Sequence, residues 1–64
     1  MLKNNIKKIR SNKNVTQKEL AQKSKIGQST ISEIEKGTHI PRVDTAIRLA
    51  RALEVTVEDL FVLR

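Results

Sequence analysis

Apolar residues in this chain recur at steps of three and four, a spacing that argues for helices throughout. The pattern is clearest in Ala46, Leu49, Ala50 and Leu53, joined by Ile47, which share one side of a helix expected over about residues 43 to 53. Only one proline and two glycines interrupt the chain, and its 64 residues lie near the lower size limit for a core without staples. Every helix must therefore pack on one shared core, and residues 1–64 read as a single domain. The absence of cysteine excludes disulfides and thiolate metal sites and suits a reducing compartment. No apolar run approaches the roughly 20 residues of a membrane span. The N-terminal MLKNNIKK also lacks the apolar middle of a signal peptide, so a cytoplasmic location is expected.

Four more helices follow from local signals. The first is expected over about residues 4 to 13, with Leu2, Ile6 and Ile9 on its inner side and Lys3, Lys7 and Lys8 mostly outside. Ser11 to Asn14 read as a turn. Thr16 with Glu19 forms a capping box, in which each side chain satisfies the other's backbone N–H, and Val15 can act as its staple. A second helix, about residues 17 to 24, starts there and turns Leu20 and Ala21 inward. Gly27 suits the N-cap of a third, about residues 28 to 36, and Gly37 its C-terminal stop. Thr38 to Pro41 form a loop before the fourth helix. Thr56 with Asp59 repeats the capping pattern and opens a short fifth helix containing Leu60 and Phe61. The apolar ends, Leu2 on one side and Phe61, Val62 and Leu63 on the other, suit a small two-stranded pairing or a contact between subunits; a frayed tail is the plainer alternative.

Charge points to a partner. Thirteen Lys and Arg against seven Asp and Glu leave +6 on a very small body, a balance that favours a polyanion. The excess is uneven: residues 1 to 40 carry nine basic and three acidic side chains, whereas residues 41 to 64 carry four of each. Lysines that merely keep a small protein soluble are the competing explanation, and position decides between them.

Two short helices, 17 to 24 and 28 to 36, joined by a three-residue turn have the layout of a helix-turn-helix, whose second helix lies in the DNA major groove. The spacing alone is shared by many helix pairs. The helical wheel sharpens it. With Ile31 and Ile34 marking the buried side, Ser29, Ser32, Glu33 and Lys36 lie most nearly opposite, with Gln28 on the flank at the N-terminal end. This face has no apolar side chain. It offers an amide, hydroxyls, a carboxylate and an ammonium, groups that read base edges: Gln pairs with adenine, Glu accepts from cytosine, Ser serves either way. An ordinary surface helix would also be polar outside, but this one is poor in Ala and Leu, polar where phosphate binds best, and flanked by basic residues.

These residues resemble the Xre family of helix-turn-helix regulators, which includes phage lambda-type repressors and Cro. The likeness spans about residues 3 to 61 and is carried jointly by Thr16-Gln17, Leu20-Ala21, Ile31-Ser32, Ile34-Glu35, Gly37, Pro41, Thr45, Leu49-Ala50, Ala52-Leu53, Val55 and Leu60-Phe61. It implies an all-α fold, a compact five-helix bundle of the lambda-repressor-like type. It also implies that Gln17 touches a phosphate, that Gln28, Ser29, Ser32 and Glu33 face base edges or nearby phosphates, and that Lys36, Thr38 and Arg42 grip the DNA backbone. Arg10 and Glu35 look like a structural pair tying the first helix to the third; breaking such a pair leaves a partly buried charge unpartnered at roughly 3–5 kcal/mol. The chain departs from the family at Lys25, where glycine is usual, and at Gly27, where a hydroxyl cap is usual. A left-handed Lys costs about 1 kcal/mol; Gly27 lacks the hydroxyl that would contact phosphate there, and the charge of Lys25 is the candidate to compensate.

A single His39, no cysteine and no foreseeable carboxylate pair supply no acid, base and nucleophile set, and no second His or Cys exists to complete a metal site with His39. No cofactor is expected. RNA reading is disfavoured because the stacking aromatics are missing. An antitoxin-like or adaptor module that keeps the fold without reading DNA is the main rival, and it would need an exposed apolar patch, for which the terminal residues are the candidates. The sequence thus leads to a double-stranded DNA-binding regulator, expected to act as a repressor and as a homodimer on a palindromic operator with half-sites about 10 bp apart.

Overall fold

A computed structural model describes residues 2–63 of the chain; Met1, Arg64 and the Leu2 side chain lie outside the described residues. The elements in order are β1 (Leu2–Asn4), α1 (Ile6–Asn12), α2 (Gln17–Ser24), α3 (Gln28–Lys36), α4 (Val43–Leu53), α5 (Val57–Leu60) and β2 (Phe61–Leu63). Five helices close on one core, and the two short strands pair antiparallel beside them, Leu2 opposite Leu63, Lys3 opposite Val62 and Asn4 opposite Phe61. Ile6, Leu20, Ile31, Ile34, Leu49, Leu53 and Leu60 are fully buried, drawn from all five helices. Ile9, Val15, Ala21, Ile26, Ala52, Val55 and Phe61 pack against them. The central helix α4 lies on α2 and α5, and α2 also packs on α3. The one buried polar side chain among the described residues, Ser24, donates its hydroxyl to the Leu20 carbonyl at 2.7 Å, so its burial leaves no orphan.

Both capping boxes form. Thr16 accepts from the Glu19 N–H at 3.1 Å while the Glu19 carboxylate accepts from the Thr16 N–H at 3.0 Å. Thr56 and Asp59 repeat the exchange with both bonds at 3.1 Å. Lys25 sits at φ 60°, the left-handed turn between α2 and α3, and Gly37 at φ 83° ends α3.

The ends depart from a purely helical reading. The first helix starts at Ile6 because Asn4 and Asn5 spend their polar groups on other elements, as short amides do when they compete with helix. Asn4 donates its side-chain amide to the Ile34 carbonyl at 2.8 Å, and the Asn5 N–H donates to the Leu60 carbonyl at 2.7 Å. Leu2 accordingly belongs to β1 and not to the inner side of the first helix. Phe61, expected in the fifth helix, instead has extended backbone and opens β2, its strand partner being Asn4. Ile47 does not join the core stripe of α4: it is 39% exposed, outside the line of Ala46, Leu49, Ala50 and Leu53.

Candidate nucleic-acid interface

Helix α3 is fixed from its inner side and its C-terminal end. Ile31 and Ile34 anchor it in the core, and the Asn4 amide holds the Ile34 carbonyl from β1. At its last turn Glu35 is nearly buried and receives three polar bonds. Arg10 of α1 reaches it with Nε at 3.0 Å and a second guanidinium nitrogen at 3.4 Å, and Gln17 of α2 donates its amide at 2.9 Å. A further Arg10 nitrogen donates to the Val15 carbonyl at 3.1 Å. One carboxylate thus ties α1, α2 and α3 together.

Gln28, Ser29, Glu33 and Lys36 are exposed on the opposite side, and Ser32 is half-buried between them. Gly27 caps α3 without a side chain, so the first-turn N–H groups of Gln28, Ser29 and Thr30 have no cap acceptor from it at the positive end of the helix dipole. Lys25 and Lys36 flank the two ends of α3, and both are exposed. Arg42, after the loop that follows α3, is 83% exposed and pairs with Asp44 at 3.4 Å, a contact so open to solvent that it contributes little and yields readily to a phosphate.

Two expected backbone contacts are more committed than their exposure suggests. Gln17 is half-buried, and one of its two amide hydrogens is taken by Glu35; only the other is free for an outside acceptor. Thr38 is exposed, yet both its backbone N–H and its hydroxyl donate to the Glu33 carbonyl at 3.1 Å. It closes the end of α3 and presents outward only the oxygen's acceptor side. Phe61 and Val62, grouped in the sequence with Leu63 as apolar ends, are half-buried, whereas Leu63 is 82% exposed. Further exposed apolar side chains lie at Ile40, Val43, Ile47 and Val57. The exposure of Ile47 runs against the sequence reading, which joined it to the core stripe of α4. The Gln17 and Asn4 bonds had no signal in the sequence, since they join residues 18 and 30 positions apart.

Among the described residues no group of His, Asp and Glu is placed to hold a metal ion, and no helix is long and apolar enough to cross a membrane.

A helix-turn-helix family model matches residues 6–60, from the first residue of α1 to the last of α5. The chain belongs to the Xre-like helix-turn-helix family. Its relatives cover it nearly end to end. An "uncharacterized HTH-type transcriptional regulator" of Methanocaldococcus jannaschii is 38% identical over 61 residues, which is 95% of this chain and 92% of that protein. Another, from Methanothermobacter thermautotrophicus, is 39% identical over 59 residues, 91% of this chain and 86% of that one. A crystal structure of a "putative DNA-binding protein" from Bacteroides fragilis superimposes with a TM-score of 0.85 at 27% identity, covering 97% of this chain and the whole of that one. The all-α fold with its short strand pairing is therefore that of the helix-turn-helix family.

Proposed function

We propose that this helix-turn-helix protein is a transcriptional regulator that binds double-stranded DNA sequence-specifically, inserting α3 into the major groove. The observation that carries the reading is the outer face of α3: Gln28, Ser29, Ser32 and Glu33 form an uninterrupted polar surface on a helix braced from behind by the Arg10–Glu35–Gln17 network. A rigid helix with amide, hydroxyl and carboxylate groups outward is what direct readout requires. Lys25, Lys36 and Arg42 around it neutralise phosphates and set register, with Gln17 and Thr38 as polar neighbours. The relatives named as transcriptional regulators support the same role. The protein acts without catalysis or cofactor, in the cytoplasm, as a homodimer on an inverted repeat, and it represses where that repeat overlaps a promoter and excludes polymerase.

Selection of duplexes from a random DNA library by the purified protein, repeated at two salt concentrations, tests the proposal. Enrichment of a defined motif repeated with two-fold symmetry is expected. Binding that is sensitive to salt but blind to sequence would refute it and favour an adaptor that has kept the fold.

A further inference from the structure

The C-terminal end of α3 is held at its backbone from across the fold. Its closing turn is complete in itself: the Gly37 N–H donates to the Ile34 carbonyl at 3.0 Å and the Thr38 N–H to the Glu33 carbonyl at 3.1 Å. The Ile34 carbonyl nevertheless accepts a second bond, from the Asn4 side-chain amide, and at 2.8 Å it is the shorter of the two. Among the described residues, Asn4 is the only side chain from another element that bonds to the backbone of α3. A further bond on an acceptor the helix has already satisfied is not needed as a cap, and what it adds is direction.

Asn4 is itself firmly mounted. Its Oδ1 accepts from the Ile6 N–H at 3.4 Å where α1 begins, and its backbone pairs with Phe61 across the two strands. The next residue is fastened as well, the Asn5 N–H donating to the Leu60 carbonyl at 2.7 Å and its side-chain amide to the Asp59 carbonyl at 3.2 Å. Two consecutive asparagines thus tie the N-terminal strand to the ends of two helices, Asn4 to α3 and Asn5 to α5.

We propose that Asn4 is a positioning residue for base reading: from β1 it holds the backbone of α3 in the orientation from which Gln28, Ser29, Ser32 and Glu33 reach base edges. The inference rests on the DNA-binding reading above and deepens it by assigning part of the specificity to a residue outside the helix-turn-helix. The other restraints on α3 are less direct. Ile31 and Ile34 are buried, but apolar burial has no direction. Arg10 and Gln17 reach α3 only through the rotatable bonds of the Glu35 side chain, whereas Asn4 acts on the main chain. The consequence is selective. Paired hydrogen bonds to a base edge need placement within about 0.5 Å, while the long side chains of Lys25, Lys36 and Arg42 follow a phosphate over a wider range. Loss of the Asn4 bond therefore erodes discrimination between sequences before it erodes attraction to DNA.

The test compares the wild type with Asn4→Ala, with Asn4→Asp, whose carboxylate keeps the acceptor for Ile6 but cannot donate to Ile34, and with Asn5→Ala, which loses only a tie to α5. The readout is the ratio of affinities for a duplex enriched by selection and a scrambled duplex of equal length, in which an added charge cancels because it acts on both alike. Both Asn4 variants should lower the ratio about tenfold, with scrambled binding by Asn4→Ala within about twofold of the wild type and the full ratio kept by Asn5→Ala. Amide exchange supplies a readout without DNA: Gly37 and Thr38 should exchange about fivefold or more faster in Asn4→Ala, with Leu49 and Leu53 of α4 unchanged. An unchanged ratio in a folded Asn4 variant, an equal loss in Asn5→Ala, or exchange that quickens throughout the core would overturn the proposal, leaving Asn4 one more contact of the fold. So would failure of both Asn4 variants to fold by circular dichroism. If the wild type enriches no duplex, the DNA reading itself falls and this role of Asn4 with it, an outcome distinct from a selective wild type whose ratio survives the substitutions.

Discussion

At Lys25 the fold and the proposed DNA contact have opposite preferences. The lysine holds a left-handed backbone at φ 60°, which costs a non-glycine residue roughly 1 kcal/mol, yet it puts a cation at the entrance to α3. Lys25→Gly should therefore leave stability unchanged or raise it by up to about 1 kcal/mol in denaturant melts, with the unfolded-state freedom of glycine offsetting part of the gain. The same variant should weaken DNA binding and lower the log-affinity against log-salt slope by about 1. Weakened stability with unchanged DNA affinity would show that Lys25 serves the turn alone. Glu35 behaves differently, since all its roles are internal. Glu35→Ala leaves the Arg10 guanidinium, 13% exposed, without its anion and frees the Gln17 amide; a loss of about 3 kcal/mol or more is expected from thermal or denaturant unfolding. At this scale the sequence discloses the left-handed turn and the Arg10–Glu35 partnership through the family likeness. It does not disclose that Gln17 is third in the network, because that depends on how α2 crosses α3.

Elements with self-contained signals are legible in the sequence, and those made by distant partners are not. Both capping boxes and the glycine stop of α3 appear where Thr, Glu, Asp and Gly stand in the chain, since each is satisfied within four residues. The start of α1, the strand character of Phe61 and the exposure of Ile47 depend instead on β1 meeting β2 and on which side of α4 the core occupies. The capping box of α2 has a pH signature. The Thr16 backbone N–H, followed by the Thr16 hydroxyl, holds the Glu19 carboxyl below its ordinary range. A carboxylate whose folded pKa is lowered stabilises fully above the ordinary glutamate range and loses that contribution as pH falls through the lowered value. The stability advantage of the wild type over Glu19→Gln should therefore shrink on acidification below the ordinary glutamate range, as read by denaturant melts at stepped pH. An advantage independent of pH would mean that the anion is not what closes the helix.

For the molecule as a whole, charge and architecture divide the labour. The basic excess lies in residues 1 to 40, which contain the helix-turn-helix, and the balanced remainder supplies the central helix. Net charge accounts for attraction to a polyanion of any sequence, so salt sensitivity by itself does not establish reading. The proposed reading demands more: the outer face of α3 distinguishes base pairs while the surrounding cations hold the backbone. It is tested most directly by measuring affinities for a selected duplex and all its single base-pair substitutions, with the wild type, Gln28→Ala and Arg42→Ala. Gln28→Ala should flatten the preference at one base pair of each half-site by about 1–3 kcal/mol and leave the others intact, whereas Arg42→Ala should weaken every duplex alike. If Gln28→Ala weakened all duplexes equally and erased no preference, α3 would not be the reading helix.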